Sequence, residues 1–141
     1  MPARTAQAEW KGNLTEGTGH ITVQSGTLDA PYDFRARTGD GKGTNPEELI
    51  AAAHAGCFTM QLSALLGGAG FTATRLRTTA KVYLEKDGPG FAIPKIELEL
   101  EGSVPGLDAA GFQKHAEVAK ASCPVSKALA GCEISLKLKF S

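Results

Sequence analysis

Apolar and polar positions alternate with period two at both ends of the chain and in its later middle, around one long stretch that is apolar on every side. Ala6, Ala8 and Trp10 alternate with Gln7, Glu9 and Lys11, and Ile21 and Val23 with His20, Thr22 and Gln24. Both patterns predict half-buried strands. Ser25-Gly26 is a turn signal before a third meander strand, Leu28 to Phe34, and the Gly-rich segment Arg37 to Gly43 reads as a flexible loop. Asn45 or Thr44 is then placed to cap a helix, with Pro46 in its first position and Glu47 and Glu48 beside the positive end of its dipole. That helix runs to the break at Gly67 to Gly70 and, apolar around nearly its whole circumference, is expected to be enclosed by other elements.

Leu76, Thr78, Ala80, Val82 and Leu84 alternate with charged and polar neighbours, as do Ile96, Leu98 and Leu100 beyond Asp87 to Gly90. This predicts a hairpin of two long strands. Pro105-Gly106 breaks the sheet, and Asp108 caps a helix with Phe112, Ala116 and Ala119 on its inner face. A shorter helix follows Cys123-Pro124, and Ile134, Leu136, Leu138 and Phe140 mark a closing strand. The order of strands, helix, strands, helices and strand predicts an α+β fold in a single domain over residues 1–141, without the repeating units of a doubly wound sheet.

At 141 residues, 42% of them hydrophobic, the chain is long enough for a real core, and a dimer partner could add to it. Fifteen basic and fifteen acidic side chains cancel, so no net field draws the protein to nucleic acid or to an anionic membrane. The first ten residues lack the apolar core of a secretory signal, and the expected compartment is the cytoplasm, where thiols start free. From Leu49 to Thr74 no residue is charged. Ala, Gly, Ser, Thr, Gln61 and His54 dilute that run below a lipid-facing helix, and it reads as a core helix, not a membrane insertion.

Chemistry concentrates on two of the three cysteines. An ordinary thiol is only about 3% ionised at pH 7, and burial of Cys57 in an apolar helix would lower that further. Bringing its pKa to ~6 takes roughly 3.4 kcal/mol of preferential stabilisation of the thiolate, which a nearby guanidinium could supply. The helix dipole cannot, because Cys57 lies almost three turns from the N-terminus. Arg35 and Arg37 are the candidates, Arg37 the favoured one, and Glu47 or Glu48 could hold it by an ion pair. The plain alternatives are a solvated loop arginine and carboxylates that only complement the dipole.

Cys123 sits where a helix begins, a setting that lowers a thiol pKa and could leave it open to exchange; as a free cysteine it could equally be a small core residue, the reading given to Cys132. His54, one turn before Cys57, is either a base or, more often in such a setting, a core histidine with a satisfied ring. No C-x-x-C, H-E-x-x-H or similar cluster points to a metal, and Gly39 to Gly43 lacks the pattern of a phosphate loop.

The segment Gly43 to Phe58, GTNPEELIAAAHAGCF, together with Cys123 to Leu129, CPVSKAL, resembles the OsmC branch of the OsmC/Ohr family of organic hydroperoxide reductases. The likeness extends through Pro31 to Phe34, Gly70-Phe71, Gly90 to Ile93 and Val104 to Gly106, nearly the whole chain. It implies antiparallel strands around a long buried central helix in an intertwined homodimer, with two active sites at the subunit interface. It also implies that Cys57 is the peroxidatic and Cys123 the resolving cysteine, and that the family's arginine and glutamate fall on Arg37 and Glu47.

On that resemblance, the Cys57 thiolate attacks an alkyl or lipid hydroperoxide, Arg37 stabilises the developing charge, and Cys123 condenses with the sulfenic acid. The disulfide closes a loop whose chain entropy is worth about 4 kcal/mol, so a dithiol reductant, such as a protein-bound dihydrolipoamide, must reach a well-favoured bond. No bound cofactor is needed. Two rivals from other classes stand beside this reading: a non-catalytic binding or stress-structural protein with buried cysteines, and a cysteine hydrolase with His54 as base.

Overall fold

Residues 2–141 are described by a computed structural model. Within the span read as one domain, the backbone gathers into two compact units, one ending at Leu49 and the other Ile50–Ser141.

In the first unit the alternating segments form β1 (Ala6–Lys11), β2 (Thr18–Val23) and β3 (Asp29–Tyr32), an antiparallel meander in the order β1-β2-β3. Gly19 pairs with Trp10 on one side and Tyr32 on the other. The two rings meet edge to face at 5.4 Å. A Cβ on Gly19 would lie 2.4 Å from Tyr32 and 2.6 Å from Trp10, so only glycine lets the rings close over that spot.

The third strand is shorter than its apolar pattern suggests, and the chain beyond it is helical where a loop was expected. Phe34–Thr38 form a short helix, α1, because the Asp33 carboxylate accepts the Ala36 backbone N–H at 2.7 Å. Arg35 and Arg37 therefore project from helical turns.

Helix α2 (Pro46–Gly68) starts and stops where the cap signals put it. Asn45 is the cap: its side-chain oxygen accepts the Glu48 N–H at 2.8 Å. The first turn belongs to the first unit and the remainder to the second.

In the second unit β4 (Arg75–Val82), β7 (Lys95–Ser103) and β8 (Glu133–Phe140) form one sheet in the order β4-β7-β8. The expected long hairpin is there, β4 against β7, but its connection carries a small hairpin of its own, β5 (Glu85–Asp87) and β6 (Gly90–Ala92). The closing strand departs from the all-antiparallel expectation: β8 runs parallel to β7. Between them lie α3 (Ala109–Ser122) and α4 (Pro124–Ala128), which provide the crossover that a parallel pair needs. One core joins Phe58, Leu62 and Leu66 of α2, Ile96, Leu98 and Leu100 of β7, and Phe112, Ala116 and Ala119 of α3.

Among the described residues the long helix is buried on one side only. His54, Phe58, Leu62 and Leu66 are buried, whereas Ala52, Ala53, Gly56, Met60, Ser63 and Ala64 stay exposed, Met60 at 75%. An apolar circumference shows that a helix needs covering, and does not say that one chain supplies all the cover.

Candidate active site

The cation and its carboxylate are assembled in the first unit by local hydrogen bonds. Asn45, besides capping α2, donates from its side-chain amide to the Ala36 carbonyl at 2.9 Å and so ties α1 to the start of α2. Thr44 donates to Glu48 Oε2 at 2.8 Å. With Glu48 engaged there, the neighbouring Glu47 turns inward; its side chain is 8% exposed and accepts Arg37 Nε–H at 2.7 Å. Arg35 points elsewhere, toward Asp40 at 3.6 Å, on the surface. The choices left open by spacing thus resolve into an Arg37–Glu47 pair.

Glu47 Oε2 is buried and, among the described residues, has no hydrogen-bond partner. Arg37 also lines a cleft of about 520 Å³ walled by Trp10, Leu14, Tyr32, Phe34 and Pro46. Asp33 lines the same cleft, so the guanidinium is not its single charge, and the aromatic and aliphatic walls suit a ligand with an apolar body and a polar head.

The sulfurs meet in the second unit. Cys57, on the inner side of α2, and Cys123, in the joint between α3 and α4, lie with Sγ atoms 2.8 Å apart although 66 residues separate them in sequence. Both are free thiols. Cys123 is completely buried, so of the two settings left open for it the core position is found and the one open to exchange is not.

Their electrostatic settings differ in sign. Burial, and then the hydrogen bond with Cys123, push the Cys57 thiol above the ordinary range. Burial acts the same way on Cys123, but the Cys57 thiol, the Ser126 backbone and hydroxyl and the Val125 backbone together bring it below that range. Of the two sulfurs, Cys123 is therefore the one whose surroundings favour the anion. The lowered Cys123 pKa expected at a helix start is found, with the Cys57 thiol as the largest of the causes that lower it and the backbone of the helix start after it.

His54 is fully buried, and its ring faces Ser126, with Nε2 2.8 Å from Oγ. Nδ1 has no partner among the described residues, so His54 is the core histidine expected but with its ring only half satisfied, and it is not a base bonded to Cys57. Burial holds its pKa below the usual histidine range. Ser126, together with Gln61 and Ser122, which hydrogen-bond at 3.0 Å, escaped sequence reasoning. The signal was there: in an apolar helix the polar positions 54, 57 and 61 share one face. Cys132 packs at the margin of the core as a free thiol. Among the described residues, no group of three His, Cys, Asp or Glu side chains is arranged to hold a metal ion.

Residues 39–139 match the family model described as OsmC-like protein. The chain is 52% identical over 127 residues to "Peroxiredoxin OsmC" of Escherichia coli K12, covering 89% of each chain. It is 31% identical over 125 residues to "Organic hydroperoxide resistance protein-like 1" of Staphylococcus saprophyticus, covering 87% of this chain and 88% of the relative. Among solved structures, the organic hydroperoxide resistance protein OhrB of Bacillus subtilis superimposes with a TM-score of 0.72 at 33% identity, covering 96% of this chain and 98% of that one.

Proposed function

The chain belongs to the OsmC family, and from that premise and two thiols in direct contact we infer its reaction: it is a cysteine-based peroxidase that reduces organic hydroperoxides to alcohols in oxidative-stress defence. The observation that carries this reading is the 2.8 Å approach of Cys57 Sγ to Cys123 Sγ, one bond-forming displacement from a disulfide.

In the mechanism we propose, the resting pair carries its charge on Cys123, and hydroperoxide enters beside Cys57. The Cys57 proton passes across the sulfur contact to Cys123, and the Cys57 thiolate attacks the distal peroxide oxygen along the O–O axis. That bond breaks, Cys57 becomes a sulfenic acid, and the alkoxide leaves as alcohol after taking the proton from Cys123. Arg37, held by Glu47, is the cation we assign to the charge that develops on the peroxide. Cys123, again a thiolate, attacks the sulfenic sulfur, expels hydroxide and closes the disulfide. The two thiols supply two electrons, so no bound cofactor enters. An external dithiol, such as a protein-bound dihydrolipoamide, is the proposed reductant.

We further assign the uncovered face of α2 to a second copy of the chain, in a homodimer, and the working compartment to the cytoplasm, where thiols are kept reduced. The bare face is made of small residues around one Met, which suits close helix packing and leaves membrane insertion unneeded.

Mass spectrometry of the reduced protein after one equivalent of cumene hydroperoxide tests the core of this reading. The expected product has lost two hydrogens and retains only Cys132 as a free thiol. A chain that keeps its mass and all its thiols is a non-catalytic protein with buried cysteines.

A further inference from the structure

Helix α2 meets the Ser122 to Ser126 segment through three polar contacts in register. His54 Nε2 lies 2.8 Å from Ser126 Oγ, Cys57 Sγ 2.8 Å from Cys123 Sγ, and Gln61 Nε2 donates to Ser122 Oγ at 3.0 Å. Positions 54, 57 and 61 rise along one helical face while their partners descend in number. The contacts form an antiparallel ladder whose middle rung is the sulfur pair.

The His54 rung is the unusual one, because the side chain is wholly buried and one of its nitrogens has no partner among the described residues. Burial keeps the ring neutral, and a neutral imidazole carries a single N–H. A proton on Nδ1 would strand a donor in the core, the costlier of the two arrangements. On Nε2 the same proton is used in the bond to Ser126. With its oxygen accepting there, the Ser126 hydroxyl has its own hydrogen free to turn toward the sulfur of Cys123, one helical turn back.

We propose that His54 is a positioning residue for the second sulfur: by donating from Nε2 it fixes the Ser126 hydroxyl with its hydrogen aimed at Cys123 Sγ, and so holds that sulfur as the anion that closes the disulfide. The proposal rests on the reading of Cys123 as the resolving thiol. During closure the S–S bond forms as the S–O bond of the Cys57 sulfenic acid breaks, and the hydroxide that departs is released to solvent, carrying away the charge of the Cys123 thiolate. Ser126 and His54 keep their protons throughout; they hold and orient. The groups that act on Cys123 Sγ are the Cys57 thiol from α2 and the Ser126 hydroxyl and the Val125 and Ser126 backbone from α4. None carries a full charge, so removal of one hydroxyl is felt at the sulfur.

The test needs no hydroperoxide. In a Cys57→Ser, Cys132→Ser background, Cys123 is the single thiol, and its ionisation is followed by thiolate ultraviolet absorbance against pH. Ser126→Ala and His54→Leu are expected to raise the midpoint by about one pH unit. His54→Gln, whose amide offers an N–H near the place of Nε2, is expected to restore it. A purely structural histidine would be rescued by Leu at least as well as by Gln, and a midpoint unmoved by Ser126→Ala overturns the proposal. Should His54→Leu fail to fold, Ser126→Ala and His54→Gln decide alone. Failure of the peroxidase reading shows separately, as absence of a disulfide in the native chain after hydroperoxide treatment.

Discussion

The two faces of α2 both lack charge and differ in burial and in the size of their side chains. The inner face, His54, Cys57, Phe58, Gln61 and Leu62, packs on β7 and α3 and carries every polar rung that reaches the Ser122 to Ser126 segment. The outer face, Ala52, Ala53, Gly56, Met60, Ser63 and Ala64, is exposed. What separates them is not hydrophobicity. The inner face places hydrogen-bonding and sulfur groups among large side chains, where low polarity strengthens each contact, whereas the outer face is made of small side chains around one Met, the surface proposed above for a second copy.

The sharpest break between the faces is chemical. Cys57→Ser is expected to abolish hydroperoxide consumption, measured as loss of cumene hydroperoxide in the presence of excess dithiol, because an alcohol supplies almost no anion at neutral pH. Cys123→Ser should allow a single turnover and leave a sulfenic acid that dimedone traps on Cys57. If Cys57→Ser retained turnover, the inner face would lose its catalytic role. Arg37→Ala tests the assigned cation: cumene hydroperoxide consumption should slow by about a hundredfold, and an unchanged rate removes Arg37 from the mechanism.

Packing comes next. Leu62 is fully buried, and Leu62→Ala should cost about 3 kcal/mol in denaturant unfolding, through lost transfer energy and the cavity left behind. Met60, 75% exposed, should cost no more than about 0.5 kcal/mol in dilute solution when made Ala. A cost for Met60→Ala that grows with protein concentration would mark the outer face as an interface. Equal costs at all concentrations would erase the distinction between the faces.

The outer face is then tested by charge. Met60→Glu should leave the far-ultraviolet circular dichroism of the chain intact and weaken self-association by tenfold or more, about 1.4 kcal/mol, since a carboxylate would be buried without a partner. Sedimentation at several concentrations reads the result. An unchanged mass for the variant would place the second copy elsewhere.

How much of this was legible in the residues divides along the same line. The ends of α2 were written in Asn45, Pro46 and Gly67 to Gly70, because capping is local chemistry. Which side of α2 faces inward was not, because a helix apolar all round has no contrast from which to choose. The direction of β8 was equally hidden: alternation of Ile134, Leu136 and Leu138 marks a strand and its buried side but carries no information on its neighbour. Arg37 reads as a loop residue because the glycines from 39 to 43 overshadow the cap at Asp33. The meeting of Cys57 and Cys123 depends on how α3 and α4 return to α2, a tertiary fact that only the family resemblance anticipated. Ser126 and Gln61 went unnoticed because single polar residues look incidental until their partners are known.

The smallest expected effect separates His54 from every solvent-facing histidine. Its folded-state pKa is depressed by burial, whereas in the unfolded chain it returns to about 6.5. Above that value both states leave the ring neutral, and pH has no leverage through this residue. As pH falls below it, the unfolded chain takes up a proton that the folded chain refuses, so stability declines until the folded ring also titrates. The slope cannot exceed about 1.4 kcal/mol per pH unit for one group. Urea unfolding of the reduced protein from pH 7 down to pH 5 should show this decline, and the His54→Gln variant should lose that component while keeping the part that comes from the carboxylates. If the two proteins lose stability in parallel over that range, the ring is already in exchange with solvent, and the inner face of α2 is not as closed at His54 as its burial implies.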